Sequence, residues 1–123
     1  MEHIKIKAEY DYDYQYDVMN IGMIDKYDYK ETLELDKGVF LDFDKNNIPV
    51  NLEIIDASKI IKLDKNNLNK AKIKMTISVK NGLISVKVIF GFKLHNKLVS
   101  ESIVKNIANN YNIPEMEANI ATI

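Results

Sequence analysis

The amino-acid sequence predicts an α+β fold in which antiparallel β-hairpins form a twisted sheet and one amphipathic helix packs on it. Three observations support this prediction. Two alternating apolar runs flank an Asn-Gly turn, shorter alternating runs are separated by Asp- and Asn-rich turns, and one stretch near residues 100–111 has helical spacing. With 123 residues, of which 46% are hydrophobic, the chain has the size of one domain, so we expect residues 1–123 to form a single domain.

The hairpin around Asn81-Gly82 is the clearest element. Apolar and polar residues alternate on both sides of this dipeptide, which favours a tight two-residue turn. When residues are counted outward from the turn, Val79 pairs with Ile84. Each further apolar residue pairs in the same way, as far as Ile73 with Phe90. A slip of one residue would expose the whole apolar set to water, so the pattern also predicts the register.

Shorter extended segments come before this hairpin. Alternating apolar residues at 33–43 are interrupted by a turn at Asp36-Lys37-Gly38, and another alternating run follows the turn Asp44-Lys45-Asn46-Asn47. Asp56-Ala57-Ser58 offers a cap for a short helix. Asp64-Lys65-Asn66-Asn67 then repeats the turn sequence and predicts a second turn.

The predicted amphipathic helix follows the hairpin. A serine at 100 or 102 would cap it, Pro114 would end it, and alternation from Met116 onward predicts a last strand. The apolar residues of this helix are spaced for one helical face: Ile103, Val104, Ile107, Ala108 and Tyr111.

Composition narrows the function classes. The chain has no cysteine and no clustered glycines, so neither a thiolate metal site nor a phosphate loop is indicated, and we expect no cofactor. Every basic residue is lysine, and without the two-pronged contacts of arginine nucleic-acid binding is disfavoured. No apolar run approaches the roughly 20 residues of a membrane helix, so we expect a cytoplasmic protein without membrane contact.

The net charge of −1 conceals an asymmetry. Residues 1–64 carry 8 lysines and 15 acids (8 − 15 = −7), whereas residues 65–123 carry 9 lysines and 3 acids (9 − 3 = +6). Either the two halves pack together within one chain, or they drive head-to-tail association or the docking of a charged partner.

Three sets of residues suggest sites. Tyr10, Tyr12, Tyr14 and Tyr16 recur at strand spacing between acids; they fit a sheet face, and they are also candidate anchors for a protein partner.

The second set resembles a calcium-binding loop, because its oxygen-bearing side chains occupy the spacing of such a loop: Asp42, Asp44, Asn46 and Glu53. Alternating strands flank this set instead of helices, which favours an ordinary solvated turn. The third set would have to converge for a small hydrolase, and it comprises the two histidines, the serines and the excess carboxylates: His3, His95, and carboxylate pairs such as Asp11 with Asp13 or Asp25 with Asp28. These few candidates, of which the two histidines lie far apart in the sequence, favour a non-enzymatic protein.

A longer series resembles the prokaryotic family called domain of unknown function 2283, in the form of its longer archaeal members. The residues that carry the resemblance lie within about 12–58: Tyr12-Asp13, Asp17-Val18-Met19-Asn20-Ile21, Gly38-Val39-Phe40-Leu41-Asp42-Phe43-Asp44, and Ile48-Pro49-Val50-Asn51-Leu52-Glu53-Ile54-Ile55-Asp56-Ala57-Ser58. Residues 59–123 would add the hairpin, the helix and the terminal strand. Asn20 departs from the family's usual tyrosine, and Asn47 and Asn51 depart from its usual glycines.

The resemblance implies a small β-rich fold and no established catalytic residue. The function is therefore unknown from the sequence, and the interpretation we favour is a small non-enzymatic protein-interaction module that binds a protein partner or a second copy of itself. The alternatives are a calcium-binding domain that uses residues 42–53 and a small hydrolase that uses carboxylates.

Overall fold

The computed structural model describes residues 2–122 and shows a mostly β protein, with 65% of residues in strands and 9% in helices. The two short helices, α1 (Ala57–Ile61) and α2 (Lys65–Lys70), both lie between the fifth and sixth strands. The nine strands are β1 (Glu2–Asp13), β2 (Val18–Met23), β3 (Tyr29–Asp36), β4 (Val39–Asp44), β5 (Pro49–Ile55), β6 (Lys72–Lys80), β7 (Leu83–Leu94), β8 (Lys97–Ala108) and β9 (Met116–Thr122).

All nine strands belong to one sheet in the order β3-β4-β5-β2-β1-β9-β6-β7-β8. The pairing of β1 with β9 is parallel, and every other neighbouring pair is antiparallel. The sheet curls into a half-barrel, so its two outermost strands approach each other. Lys105 on β8 donates to Asp36 on β3 over 2.8 Å and joins these two ends.

The predicted α+β class is wrong, because the segment predicted as an amphipathic helix is strand β8. It pairs with β7 along its whole length, from Leu94 opposite Lys97 to Leu83 opposite Ala108. A spacing of four residues, as between Ile103 and Ile107, suits one face of a helix and one face of a strand equally well. Pairing with the 12-residue strand β7 decides between them, because it satisfies backbone groups of both segments and places Ile103 and Ile107 against the core.

The hairpin prediction is confirmed in full. β6 and β7 pair in the expected register, with Val79 opposite Ile84 and Ile73 opposite Phe90. The turn residues Asn81 and Gly82 have φ values of 52° and 76°, the left-handed conformations that a two-residue hairpin turn requires.

The two Asp-Lys-Asn-Asn sequences share one local bond but lead to different structures. Asp44 accepts from the Asn46 amide over 2.9 Å, and Asp64 accepts from the Asn66 amide over 3.0 Å. Asn47 then takes a φ of 61° and reverses the chain into β5. The second sequence continues as α2, with Asp64 as its cap, so the second predicted turn is wrong.

The core lies on the concave side of the sheet. Alternate residues of every strand from β1 to β7 and of β9 point inward and are buried, and the helices contribute to the same cluster through Ala57, Ile61 and Leu68. The Tyr10 hydroxyl donates to the Leu68 carbonyl over 2.7 Å and ties α2 to β1. The convex side of the sheet is therefore left as the outer surface.

Candidate functional site

A buried hydrogen-bond network joins the β1–β2 turn to the start of α1. The Asp17 side chain, in a residue only 6% exposed, accepts from the Tyr12 hydroxyl (2.7 Å), the Ser58 amide (3.0 Å) and the Ser58 hydroxyl (2.6 Å). The Asp17 carbonyl also accepts from the Ala57 amide over 2.9 Å. Asp17 lies 40 and 41 residues before these amides in the sequence, yet it makes the capping bonds that the sequence predicts for Asp56, whose own side chain makes none.

The electrostatics of this network follow from its bonds. Burial alone would raise the pKa of Asp17, but the hydrogen bonds from Ser58 and Tyr12 and the charge of Lys65 overcome it, so this pKa is lowered. Burial and the bond to Asp17 raise the pKa of the Tyr12 hydroxyl. The lowered pKa of Asp17 and the raised pKa of Tyr12 both favour the ordinary charge states of these groups at neutral pH, which suits a structural role.

The four tyrosines divide into two pairs. Tyr10 and Tyr12 are partly buried, and their hydroxyls are used within the chain. Tyr14 and Tyr16 lie in the β1–β2 turn with 49% and 69% of their surface exposed. The Tyr14 ring stands edge-on to Tyr12, and the Lys65 ammonium lies 5.4 Å from its centre. The exposed pair alone offers surface to a partner.

The calcium-type residues lie in two different environments. Asp44 is buried and accepts from the amides of Asn46 and Ile48 in its own turn, both at 2.9 Å. Asp42 lies on the outer surface and accepts from the Thr32 hydroxyl at 2.6 Å, while Glu53 stands opposite Phe40 on that surface. Within residues 2–122, the side chains of His, Asp and Glu form no group of three or more that is arranged to hold a metal ion.

The hydrolase candidates are similarly dispersed. In the part of the chain that the structure describes, the two buried carboxylates, Asp17 and Asp44, are both occupied by hydrogen bonds. His3 lies 3.6 Å from Glu117 near one end of β1, and His95 lies in the turn between β7 and β8. Asp25 and Asp28 line one open depression with Lys26 and Tyr27, but neither histidine lies in it.

The outer surface is divided by charge. We call the outward side of β6, β7 and β8 the lysine face; no acid points outward from these three described strands. Three large apolar side chains are also exposed there: Leu83 at 47%, Leu98 at 80% and Val104 at 53%. Its lysines are all exposed: Lys72, Lys74, Lys80, Lys87 and Lys93.

The opposite end of the outer surface is acidic. Glu34 of β3 and Glu53 of β5 flank Phe40 of β4, and Asp42 lies in the next row beside Asn51. The charge asymmetry seen along the sequence is therefore displayed across one surface. The lysine face was missed at the level of sequence, although the alternation of lysine at 72 and 74 within the predicted hairpin was a signal for it.

Neither helix within residues 2–122 is long and apolar enough to cross a membrane. No solved structure shows a significant match to the chain.

Two comparisons place the chain among known sequences. Residues 9–58 match the family described as "Protein of unknown function (DUF2283)". The chain is also 33% identical over 81 residues to the uncharacterized protein MJ0789 of Methanocaldococcus jannaschii, an alignment that covers 63% of this chain and 69% of that protein. The matched segment contains Tyr12, Asp17 and Ser58. The hydrogen-bond network therefore joins the beginning of the family segment to its end. The chain belongs to the DUF2283 family, whose function is unknown.

Proposed function

We propose that this chain is a non-enzymatic protein-interaction module of the cytoplasm, and that the lysine face is the surface that binds its protein partner. One observation carries the proposal: five lysines and three exposed large apolar side chains share a surface from which no acid points outward. Like charges side by side repel, and an acidic partner would relieve that repulsion while the apolar side chains supply contact area.

The acidic end of the outer surface gives a second copy of the chain the complementary charge. Self-association is therefore one form of the same proposal, with Glu34, Asp42 and Glu53 of the second copy facing the lysines. Tyr14 and Tyr16 are the second contact that we propose, because they are exposed aromatic side chains on an acidic turn.

Covalent capture from the cells that make the protein tests the proposal. The tagged protein is crosslinked and compared with a variant in which Lys72, Lys74 and Lys87 are changed to Glu. The matched control changes Lys26, Lys37 and Lys45 to Glu, three exposed lysines outside the lysine face with the same change in net charge.

We expect the wild type and the control to capture a protein that the lysine-face variant loses. If the partner is a second copy, light scattering will show an oligomer at low salt that the same variant abolishes. Identical capture by all three proteins would contradict the choice of surface. A wild-type protein that captures nothing and stays a monomer at every salt concentration would contradict an interaction module altogether.

A further inference from the structure

We infer that a groove along β9, between lysines on β1 and lysines on β6 and β7, binds an extended acidic peptide segment with a carboxylate at every second residue. This inference rests on the proposed function and names the chemistry of the partner.

Two rows of paired residues build the groove across neighbouring strands. In the first row, Lys7 of β1 lies beside Ala121 of β9, which lies beside Lys74 of β6. In the second row, the pairings run from Lys5 through Asn119 and Thr76 to Lys87 of β7. Each row therefore has a lysine on either side of smaller residues.

The groove is an open depression in the outer surface of the sheet. Its volume is about 620 Å³, with Ala121 and Asn119 between the lysine-bearing strands. A second depression of about 450 Å³ shares Lys74, Ile89 and Ala121 with it and continues toward Leu98 on β8. The lysines thus surround a partly apolar surface that can contact the uncharged side chains of a bound segment.

The dimensions favour an extended segment over a helix. Neighbouring strands are about 4.8 Å apart, so the backbones that carry Lys7 and Lys74 are separated by about 10 Å. An α-helix with its side chains is about 10 to 12 Å wide and would rest on top of the lysine side chains, whereas a single extended chain is narrow enough to lie over β9 between Lys7 and Lys74. Lys5 and Lys7 lie two residues apart, about 6.7 Å, which is also the spacing of alternate carboxylates on an extended peptide.

The lysines of the groove have no acidic partner of their own within residues 2–122. The three ion pairs in that range involve His3, Lys30 and Lys105 as their basic members. Two outward-facing acids lie beyond the ends of the groove: Glu117 on β9 beside His3, and Glu9 on β1 two residues after Lys7. A bound carboxylate would therefore add new ion pairs and displace no existing one.

The same residues favour a peptide over a nucleic acid. Single-stranded nucleic acids are held largely by bases stacked on aromatic side chains. In strands β6 to β9 the aromatic residues are Phe90 and Phe92, and both are buried in the core. Lysine also lacks the two-pronged contact with phosphate that arginine provides.

Fluorescence anisotropy with a labelled seven-residue peptide tests the inference. The probe is Glu-Ser-Glu-Val-Glu-Ser-Glu, and the comparison peptide, Ser-Val-Ser-Glu-Glu-Glu-Glu, has the same composition with its acids in one block. Binding is measured at low salt with the wild type, with a Lys7→Glu/Lys74→Glu variant, and with a Lys26→Glu/Lys45→Glu control. Circular dichroism confirms that all three proteins are folded.

We expect saturable binding of the alternating peptide that weakens about tenfold in the groove variant and less than about twofold in the control. The block peptide should bind several-fold more weakly than the alternating one. Raising the salt concentration should weaken both, because the contacts are exposed ion pairs.

Three outcomes would overturn the inference: no saturable binding of the alternating peptide, equal weakening in variant and control, or equally tight binding of a seven-nucleotide oligothymidine. The crosslinking experiment separates this failure from that of the proposed function. If the peptide does not bind but the lysine-face variant still fails to capture a cellular partner, the proposal of an interaction module is supported. The inference that the partner is an extended acidic segment is then wrong.

Discussion

Replacing Asp17 should destabilise the protein far more than replacing any exposed acid of the same strand region. Its carboxylate accepts three hydrogen bonds in a nearly buried position. Hydrogen bonds to a charged group contribute about 1.5 to 3 kcal/mol each, but the two hydroxyl donors can rotate toward water when the carboxylate is removed. The Ser58 amide cannot rotate.

We therefore expect Asp17→Ala to lower the free energy of unfolding by about 3 to 4 kcal/mol, of which about 1 kcal/mol comes from alanine in a left-handed conformation. Asp17 has a φ of 57°, which asparagine tolerates well. Asp17→Asn keeps an oxygen for the Ser58 amide and Tyr12, and its cost should be about 1 to 1.5 kcal/mol.

Urea unfolding followed by circular dichroism measures these differences, with Asp11→Ala as the control. Asp11 is exposed on β1, and its replacement should change the free energy of unfolding by less than about 0.5 kcal/mol. If Asp17→Ala costs no more than Asp11→Ala, the network does not hold the β1–β2 turn to α1 and the reasoning fails.

The pH dependence gives a second check on the same residue. The pKa of Asp17 is lower in the folded protein than the ordinary value of about 3.9, so its contribution is complete above that value and is lost as the pH falls through the folded pKa. The stability difference between the wild type and Asp17→Asn should be constant near neutral pH and shrink below about pH 4. A difference that persists unchanged in strong acid would contradict this origin.

Further predictions follow from other parts of the molecule. Phe90→Ala empties a fully buried site and should cost about 3 to 5 kcal/mol in urea unfolding, whereas an effect below about 1 kcal/mol would contradict the packing. Gly82→Ala meets no neighbouring atom but has a φ of 76°, so calorimetry should show a loss of about 1 to 2 kcal/mol, and no loss would contradict the turn. The hydrogen bond from Lys105 lowers the pKa of Asp36, so Lys105→Ala should raise that pKa in an NMR titration; an unchanged value would show that the two sheet ends are not joined there. Calcium should leave the melting temperature unchanged because Asp44 is already occupied, and a rise that Asp44→Ala abolishes would restore the calcium site.

The local chemistry of the chain was strong enough to predict several elements without any tertiary information. The register of β6 and β7 follows from strict alternation around Asn81-Gly82, since any other register would expose the apolar set. The strands after Gly38 and Pro49, the short helix after Asp56 and the last strand from Met116 also agree with the sequence pattern. In each case the deciding signal lies within a few residues of the element.

Predictions failed where the deciding partner is remote. The segment at 97–108 satisfies the spacing of a helix and of a strand, and the ladder that it forms with β7 selects the strand. The repeated Asp-Lys-Asn-Asn sequence forms the same first bond twice, and the surrounding structure decides whether the chain then reverses or continues as α2. The cap of α1 comes from Asp17, which no local rule for helix ends would select.

Local sequence features predict that this protein is rich in antiparallel β-structure, which hairpin is the most regular, and that its charge is separated between two halves. Alternation, turn residues and composition are local properties that can be read along a chain. Two further arrangements appear first in the folded chain: nine strands form one curled sheet, and lysines from β1, β6 and β7 border a common groove along β9. These arrangements depend on the pairing of strands distant in sequence, and the free energy of such pairings resides in contacts that no local segment contains.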